Sequence, residues 1–204
     1  MQFEGIYIPV ITPFHDDGSV DESGFAEVLE FLIDAGVHGI VVAGTTGEYY
    51  AQTMAERTGL MQTAHQVING RVPLMIGVGA IRTEDAIELA QTAKQVGADA
   101  LLVNSPPYVL PTESENAAHA LAIEKAADLP IMLYNYPGRT GSNMGEDYLR
   151  QVSASKNFCA IKESSGDINR LHLLANDYPH IQLSCGADDQ ALEFFVWGAR
   201  SWVC

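Results

Sequence analysis

Eight short apolar runs recur along the chain, with an amphipathic stretch of roughly 10 to 15 residues between one and the next, and this alternation limits the fold more than any other feature. The runs are Gly5 to Thr12, Gly39 to Ala43, Pro73 to Gly77, Ala100 to Val103, Pro130 to Asn135, Phe158 to Lys162, Gln182 to Gly186 and Ser201 to Cys204. Runs this apolar on both faces predict parallel strands, because the crossover between parallel strands lays a helix over each face of the sheet. The stretches between them carry helix signals. Asp21 to Ala35 puts Phe25, Val28, Leu29 and Leu32 on one stripe and stops at Gly36. Thr83 opens another, with Glu84 and Asp85 in a first turn that suits negative charge, and Gly97 ends it. Ala35-Gly36-Val37, Val96-Gly97-Ala98 and Trp197-Gly198-Ala199 repeat one helix-ending phrase ahead of a new strand.

Eight strands alternating with helices predict an α/β fold of the (β/α)8 TIM barrel type, one domain over residues 1–204. A doubly wound sheet would show similar local patterns, but no GxGxxG follows the first run. The chain ends inside the eighth run with no helix after it, and a barrel of this kind commonly needs ~250 residues. The expectation is therefore a barrel truncated within strand 8, its C-terminal helices absent.

Charge and composition narrow the partners. A formal net charge of −15, from 26 acidic against 11 basic residues, opposes binding to nucleic acid or to anionic membranes. No stretch approaches the roughly 18 apolar residues of a membrane span. No basic, apolar leader of the secretory kind opens the chain. The three cysteines, Cys159, Cys185 and Cys204, lack CxxC spacing, so a reducing, cytoplasmic compartment is expected. The six histidines show no HxH or HExxH spacing, and no metal is expected.

In a (β/α)8 barrel the working residues sit at the C-terminal ends of the strands and in the loops that follow. That rule selects Gly44 to Glu48, Asn104 to Tyr108, Tyr134 to Thr140, Lys162 with Glu163, and Gly186 to Asp189. Of the four lysines only Lys162 ends a strand; Lys94 and Lys125 fall in helices and Lys156 in a loop at the opposite face. A lysine in a barrel mouth loses its proton through desolvation and can then attack a carbonyl. An ion pair with Glu163 is the alternative reading. Gly44-Thr45-Thr46-Gly47 offers backbone N–H groups and two hydroxyls to a carboxylate or a phosphate, or else simply builds a turn. Tyr134 can shuttle protons and Arg139 can grip a carboxylate with two parallel hydrogen bonds; a capped core tyrosine and a surface arginine are the plainer readings. Asp188 and Asp189 are adjacent and read as a loop or helix N-terminus rather than a catalytic pair.

Together these residues resemble the family of dihydrodipicolinate synthase and N-acetylneuraminate lyase, pyruvate-dependent class I aldolases on a (β/α)8 barrel. The likeness rests on Gly44-Thr45-Thr46-Gly47-Glu48, on Tyr134-Asn135-Tyr136-Pro137-Gly138-Arg139-Thr140-Gly141 and on Ile161-Lys162-Glu163-Ser164, and it runs over the whole chain. It implies that Lys162 forms a covalent Schiff base with pyruvate, without a separate cofactor, while Tyr134 passes protons. Thr45 and Thr46 would hold the pyruvate carboxylate, with Gly44, Gly47 and Gly186 completing the substrate site. Arg139 would receive the carboxylate of the second substrate, an aldehyde or keto acid. Tyr108 matches a tyrosine that reaches the Thr45–Tyr134 pair from a neighbouring subunit, so a homodimer or homotetramer is implied. Tyr49 and Tyr50 are bulkier than the residues of lysine-regulated synthases, and with Ile81 and Pro107 they speak against lysine regulation. The expected activity is a dihydrodipicolinate synthase-like lyase that makes or breaks a carbon–carbon bond between pyruvate and an aldehyde. A 2-keto-3-deoxy sugar-acid aldolase or dehydratase is the alternative within the family, and a non-catalytic keto-acid binding protein the alternative outside it.

Overall fold

A computed structural model describes residues 1–204, and its eight strands close into one parallel barrel in sequence order, with β8 hydrogen-bonded back to β1. The elements are β1 (Gly5–Pro9), α1 (Glu22–Asp34), β2 (Gly39–Val42), α2 (Met54–Ile68), β3 (Leu74–Gly77), α3 (Thr83–Val96), β4 (Ala100–Asn104) and α4 (Glu113–Ala127). They continue with β5 (Ile131–Asn135), α5 (Pro137–Thr140), α6 (Glu146–Val152), β6 (Phe158–Glu163), α7 (Ile168–Asp177), β7 (Gln182–Cys185), α8 (Ala191–Val196) and β8 (Ser201–Val203). All eight expected strands are present. The first is shorter than its apolar run: pairing stops at Pro9, and Thr12 instead turns its hydroxyl to the carbonyl of Gly47 at 2.8 Å.

Alternation of side chains along each strand divides the apolar residues into two cores. Phe3, Tyr7, Val41, Met75, Leu102 and Met132 fill the barrel interior. The other core lies between strands and helices, where Ile40, Ile76, Val103, Leu133 and Ile161 meet Leu60, Leu89, Ile123 and Leu149. Each such side chain taken fully out of water contributes about 1.5–3 kcal/mol.

Local chemistry sets the helix ends. Thr53 with Glu56, and Thr112 with Glu115, form reciprocal capping boxes at the starts of α2 and α4, and Asp21 caps α1 through Gly24 N–H. Gly36, Gly97 and Gly198 close the three repeated phrases with φ of 81°, 98° and 93°, a left-handed turn that a Cβ would strain. Thr83 begins α3 as expected, but its hydroxyl does not cap the helix; it bonds Nδ1 of His119 across the α3–α4 contact at 2.9 Å.

His119 is 5% exposed, its Nε2 has no partner, and burial lowers its pKa to about 4. An unfolded chain binds a proton here near pH 6.5, whereas the folded one resists it. The neutral ring therefore contributes stability fully above pH ~6.5, and that contribution is lost as pH falls toward 4, by at most about 3 kcal/mol. Chemical denaturation at pH 7 and pH 4.5 checks this: the wild type loses more stability between the two than His119→Gln, which cannot titrate.

Candidate active site

The C-terminal ends of β2, β4, β5 and β6 gather the expected residues at one mouth. Lys162 faces the barrel interior from the fifth position of β6, directly across from Tyr134 in the β5–β6 register. Its Nζ lies 4.5 Å from the centre of the Tyr134 ring, and the residue is only 8% exposed. Burial lowers the Lys162 pKa to about 8, opposed by the negative charge of Asp188. The alternative ion pair with Glu163 does not form, because neighbouring strand residues point to opposite faces: Glu163 turns outward and pairs with Arg170. Gly186 makes the room that Lys162 needs. A Cβ there would lie 2.1 Å from Ser164 Oγ and 2.8 Å from Lys162 Cγ.

Burial also raises the Tyr134 phenol above its usual range, and the Thr45 hydroxyl is the largest influence opposing it. Ser164 Oγ, buried beside Gly186, has no hydrogen-bond partner. A cavity of about 170 Å³ opens beside Tyr134 between Thr45, Tyr49, Asn104, Tyr136 and Arg139. A wider hollow of about 400 Å³ adjoins it at Thr46 and Glu48. A cleft of about 480 Å³ at the opposite end of the barrel, lined by His180, Gln182 and Arg200 among others, contains none of these residues.

The Gly44–Gly47 segment is a tight turn. The amides of Gly47 and Glu48 are spent inside it, on the carbonyls of Gly44 and Thr45 at 3.1 Å each. The Gly47 carbonyl accepts from Thr12 and from Gln52 Nε2 at 2.6 Å. Gly47 thus shapes the turn, while the amides of Thr45 and Thr46 carry no intramolecular bond and stand available to an anion. Arg139, in α5, stacks its guanidinium 5.6 Å from the Tyr136 ring and pairs with no carboxylate.

Tyr108 does not reach this site within one chain. It is 88% exposed with φ of 75°, and Val109 and Leu110 beside it are exposed as well. Asp188 and Asp189 lie in a short 3-10 turn, as expected of a loop, and Asp188 Oδ1 accepts from Trp202 Nε1 at 3.0 Å. No three His, Cys, Asp or Glu side chains converge as a metal site would need.

Two buried arginines lie outside the strand ends and the loops that follow them. Arg57 donates to the carbonyls of Gly79 and Gly77 at 2.8 and 2.7 Å and lies 5.2 Å from the Tyr49 ring, so it backs one wall of the cavity. Burial lowers its pKa to about 10. Arg170 bonds Glu163 behind the barrel wall. Both sit on helix stripes that are otherwise apolar, Arg57 with Leu60, Met61 and Ala64 and Arg170 with Leu171 and Leu174; a charge at such a position is the signal that marks them.

Known proteins share this fold and much of this sequence. The model of the dihydrodipicolinate synthetase family matches residues 2–204. A 4-hydroxy-tetrahydrodipicolinate synthase of Stenotrophomonas maltophilia (strain K279a) is 39% identical over 192 residues, covering 94% of this chain and 65% of that protein. One of Methanoculleus marisnigri is 38% identical, covering 93% of this chain and 66% of that one. The solved structure of the 4-hydroxy-tetrahydrodipicolinate synthase from Methylacidiphilum fumariolicum SolV matches with a TM-score of 0.95 at 33% identity, covering all of this chain and 68% of that one. A prophage protein of E. coli K12 from the dihydrodipicolinic acid synthase family, solved in complex with pyruvate, matches with a TM-score of 0.93 at 31% identity over 100% of this chain and 70% of its own. The chain thus spans about two thirds of the length of these relatives. Likeness of sequence along the whole chain, and of backbone through every strand that builds the mouth, makes this chain a member of the dihydrodipicolinate synthetase family.

Proposed function

We propose that the protein is a pyruvate-dependent lyase that makes or breaks carbon–carbon bonds through a Schiff base on Lys162. The observation that carries this reading is a buried lysine, its pKa about 8, set against a buried tyrosine at the mouth of the barrel. A neutral Lys162 amine adds to the keto carbon of pyruvate, and the resulting carbinolamine loses water to give an imine. The protonated imine then accepts the electron pair left when a methyl proton departs, and the enamine carbon attacks the aldehyde carbon of a second substrate. Lys162 thereby supplies the electron sink itself, with no separate cofactor. Tyr134 carries protons to and from the reacting oxygen.

The amides of Thr45 and Thr46, with Gly44 and Gly47 shaping their turn, suit the pyruvate carboxylate, and Gly186 leaves space for the adduct. Arg139, without a carboxylate of its own, suits an acid group on the second substrate. Tyr108 is read as reaching the Thr45–Tyr134 pair of a neighbouring copy, in a homodimer or homotetramer; its exposure beside the exposed Val109 and Leu110 supports this. Three free thiols fit a reducing, cytoplasmic compartment.

One observation favours a second reading of the substrate. Tyr49 OH lies 3.4 Å from Asn104 Nδ2 on the cavity wall, and together they offer hydrogen bonds to a hydroxylated chain. That is the chemistry of a 2-keto-3-deoxy sugar acid, against the shorter aldehyde of the synthases. Release of pyruvate from such an acid supports the aldolase reading, and condensation of pyruvate with aspartate semialdehyde supports the synthase reading.

Borohydride reduction in the presence of pyruvate, followed by peptide mass mapping, should place a stable adduct on Lys162. Folded protein that shows no adduct would turn the assignment toward a non-catalytic keto-acid binder. The rate of trapping should rise with pH up to about 8, as Lys162 loses its proton, and flatten above that. A profile flat from pH 6 to 9 contradicts the assignment. Tyr134→Phe should still fold and slow turnover by roughly 10²–10⁴; undiminished turnover removes Tyr134 from the proton path.

A further inference from the structure

The rung of the barrel that pairs Tyr134 with Lys162 is followed by one that pairs Asn135 with Glu163. Because side chains alternate, the first pair faces the interior and the second faces the helical layer, on the side of Leu133 and Ile161. Glu163 is 2% exposed and Asn135 fully buried, yet both carboxylate oxygens and both ends of the amide find partners. Asn135 Nδ2 donates to Glu163 Oε2 at 2.8 Å, and Arg170 Nε donates to the same oxygen at 3.2 Å. The backbone N–H of Ser165 donates to Oε1 at 2.7 Å. Asn135 Nδ2 also reaches Asn143 Oδ1 at 2.9 Å, and its Oδ1 accepts from Met144 N at 3.0 Å. Arg170 closes the cluster by donating to the Met144 carbonyl.

A buried ion pair seldom improves on apolar side chains of the same volume, because desolvation consumes most of the attraction. Stability therefore does not account for a carboxylate and a guanidinium behind this wall. Directional bonds do what leucines cannot: they fix the angle and separation of the groups they join. Here those groups are the ends of β5 and β6, the start of α7 and the segment that follows the Arg139 helix.

We propose that Glu163 and Arg170 are positioning residues, a buried ion pair that, with Asn135, staples β5 to β6 from outside the barrel and so sets Lys162 against Tyr134 within it. The inference rests on reading Lys162 as the Schiff-base nucleophile. The pairing also leaves the cluster neutral overall. Arg170 offsets the carboxylate next to Lys162, and the charge that acts most on the lysine is that of Asp188, not Glu163.

Trapping of pyruvate by borohydride tests the staple. Wild-type protein is measured first: no adduct on Lys162 overturns that assignment and this inference with it. The variants then test the staple alone. Glu163→Leu/Arg170→Met removes the pair without stranding a charge and should fold, since such exchanges are commonly tolerated. It should trap pyruvate about 100-fold more slowly, the scale of an ångström-level misplacement. Half-saturating pyruvate and the pH midpoint of trapping should stay close to wild type, because neither the carboxylate site nor the net charge has changed. Asn143→Ala, at an exposed residue, removes one bond of the staple and should slow trapping about fivefold, also without a shift in midpoint. Trapping at the wild-type rate in either folded variant overturns the inference. So does a rate recovered by changing pH alone, which would make the pair a tuner of lysine basicity. If the double variant does not fold, the rate of Asn143→Ala decides.

Discussion

Closure of the sheet is the constraint on which the site depends. Only three rungs join β8 to β1, Ser201 to Gly5, Trp202 to Ile6 and Val203 to Tyr7, and they convert an open sheet into a tube with an inside. Without an inside, Lys162 would stand in water with the proton of an ordinary lysine. With it, the strand period of two decides everything that follows: residues one apart go to different solvents, one to the lumen and one to the layer beneath the helices. Lys162 and Glu163, adjacent in sequence, thus become an amine buried in the lumen and a carboxylate paired behind the wall.

The distribution of charge follows from the same partition. The chain carries a formal net charge of −15, yet its mouth assembles cations that no carboxylate neutralises. Lys162, Arg139 and Arg57 take part in none of the ion pairs of the structure, whose arginines are Arg71, Arg82, Arg150, Arg170 and Arg200. Desolvation lowers the pKa of the lysine to about 8, Arg139 is left to solvent above an aromatic ring, and Arg57 gives its two terminal nitrogens to carbonyls. At this mouth the nearby charges outweigh the distant ones, because the low-dielectric wall strengthens what is near while salt screens what is far.

The barrel was legible because its signals are periodic and repeated. Eight apolar runs and three matching helix ends each state the same unit, so an error in one, such as the overlong first strand, leaves the topology intact. Lys162, Tyr134, Thr45, Thr46 and Arg139 were legible because each lies at a strand end or in the loop after it, where the fold places chemistry whatever the residue. Arg57 and Arg170 were not, since each belongs to a helix and reaches the site region by the length of its side chain. The cluster of Glu163 with Asn135 was hidden for another reason: the bond joins residues 28 apart whose meeting depends on register between two strands, and no local pattern carries register. Tyr108 shows the limit from the other side. The resemblance implies a role for it at a neighbouring copy's site, and a single chain leaves it in solvent.

The two buried arginines also show that burial of the same group can serve opposite electrostatic ends. Arg170 meets a carboxylate, and the pair exerts little field beyond its own bonds. Arg57 meets only the carbonyls of Gly77 and Gly79, so its charge is solvated by dipoles but not cancelled. That uncancelled charge lies against the Tyr49 ring; burial raises the Tyr49 phenol, and the Asn104 hydrogen bond and then Arg57 oppose the rise. Tyr49 thus lines the cavity with a guanidinium behind its ring. Had a carboxylate neutralised Arg57, the wall would be equally well packed and electrically silent. The choice of carbonyls over a carboxylate makes the scaffold behind Tyr49 part of the field at the cavity wall.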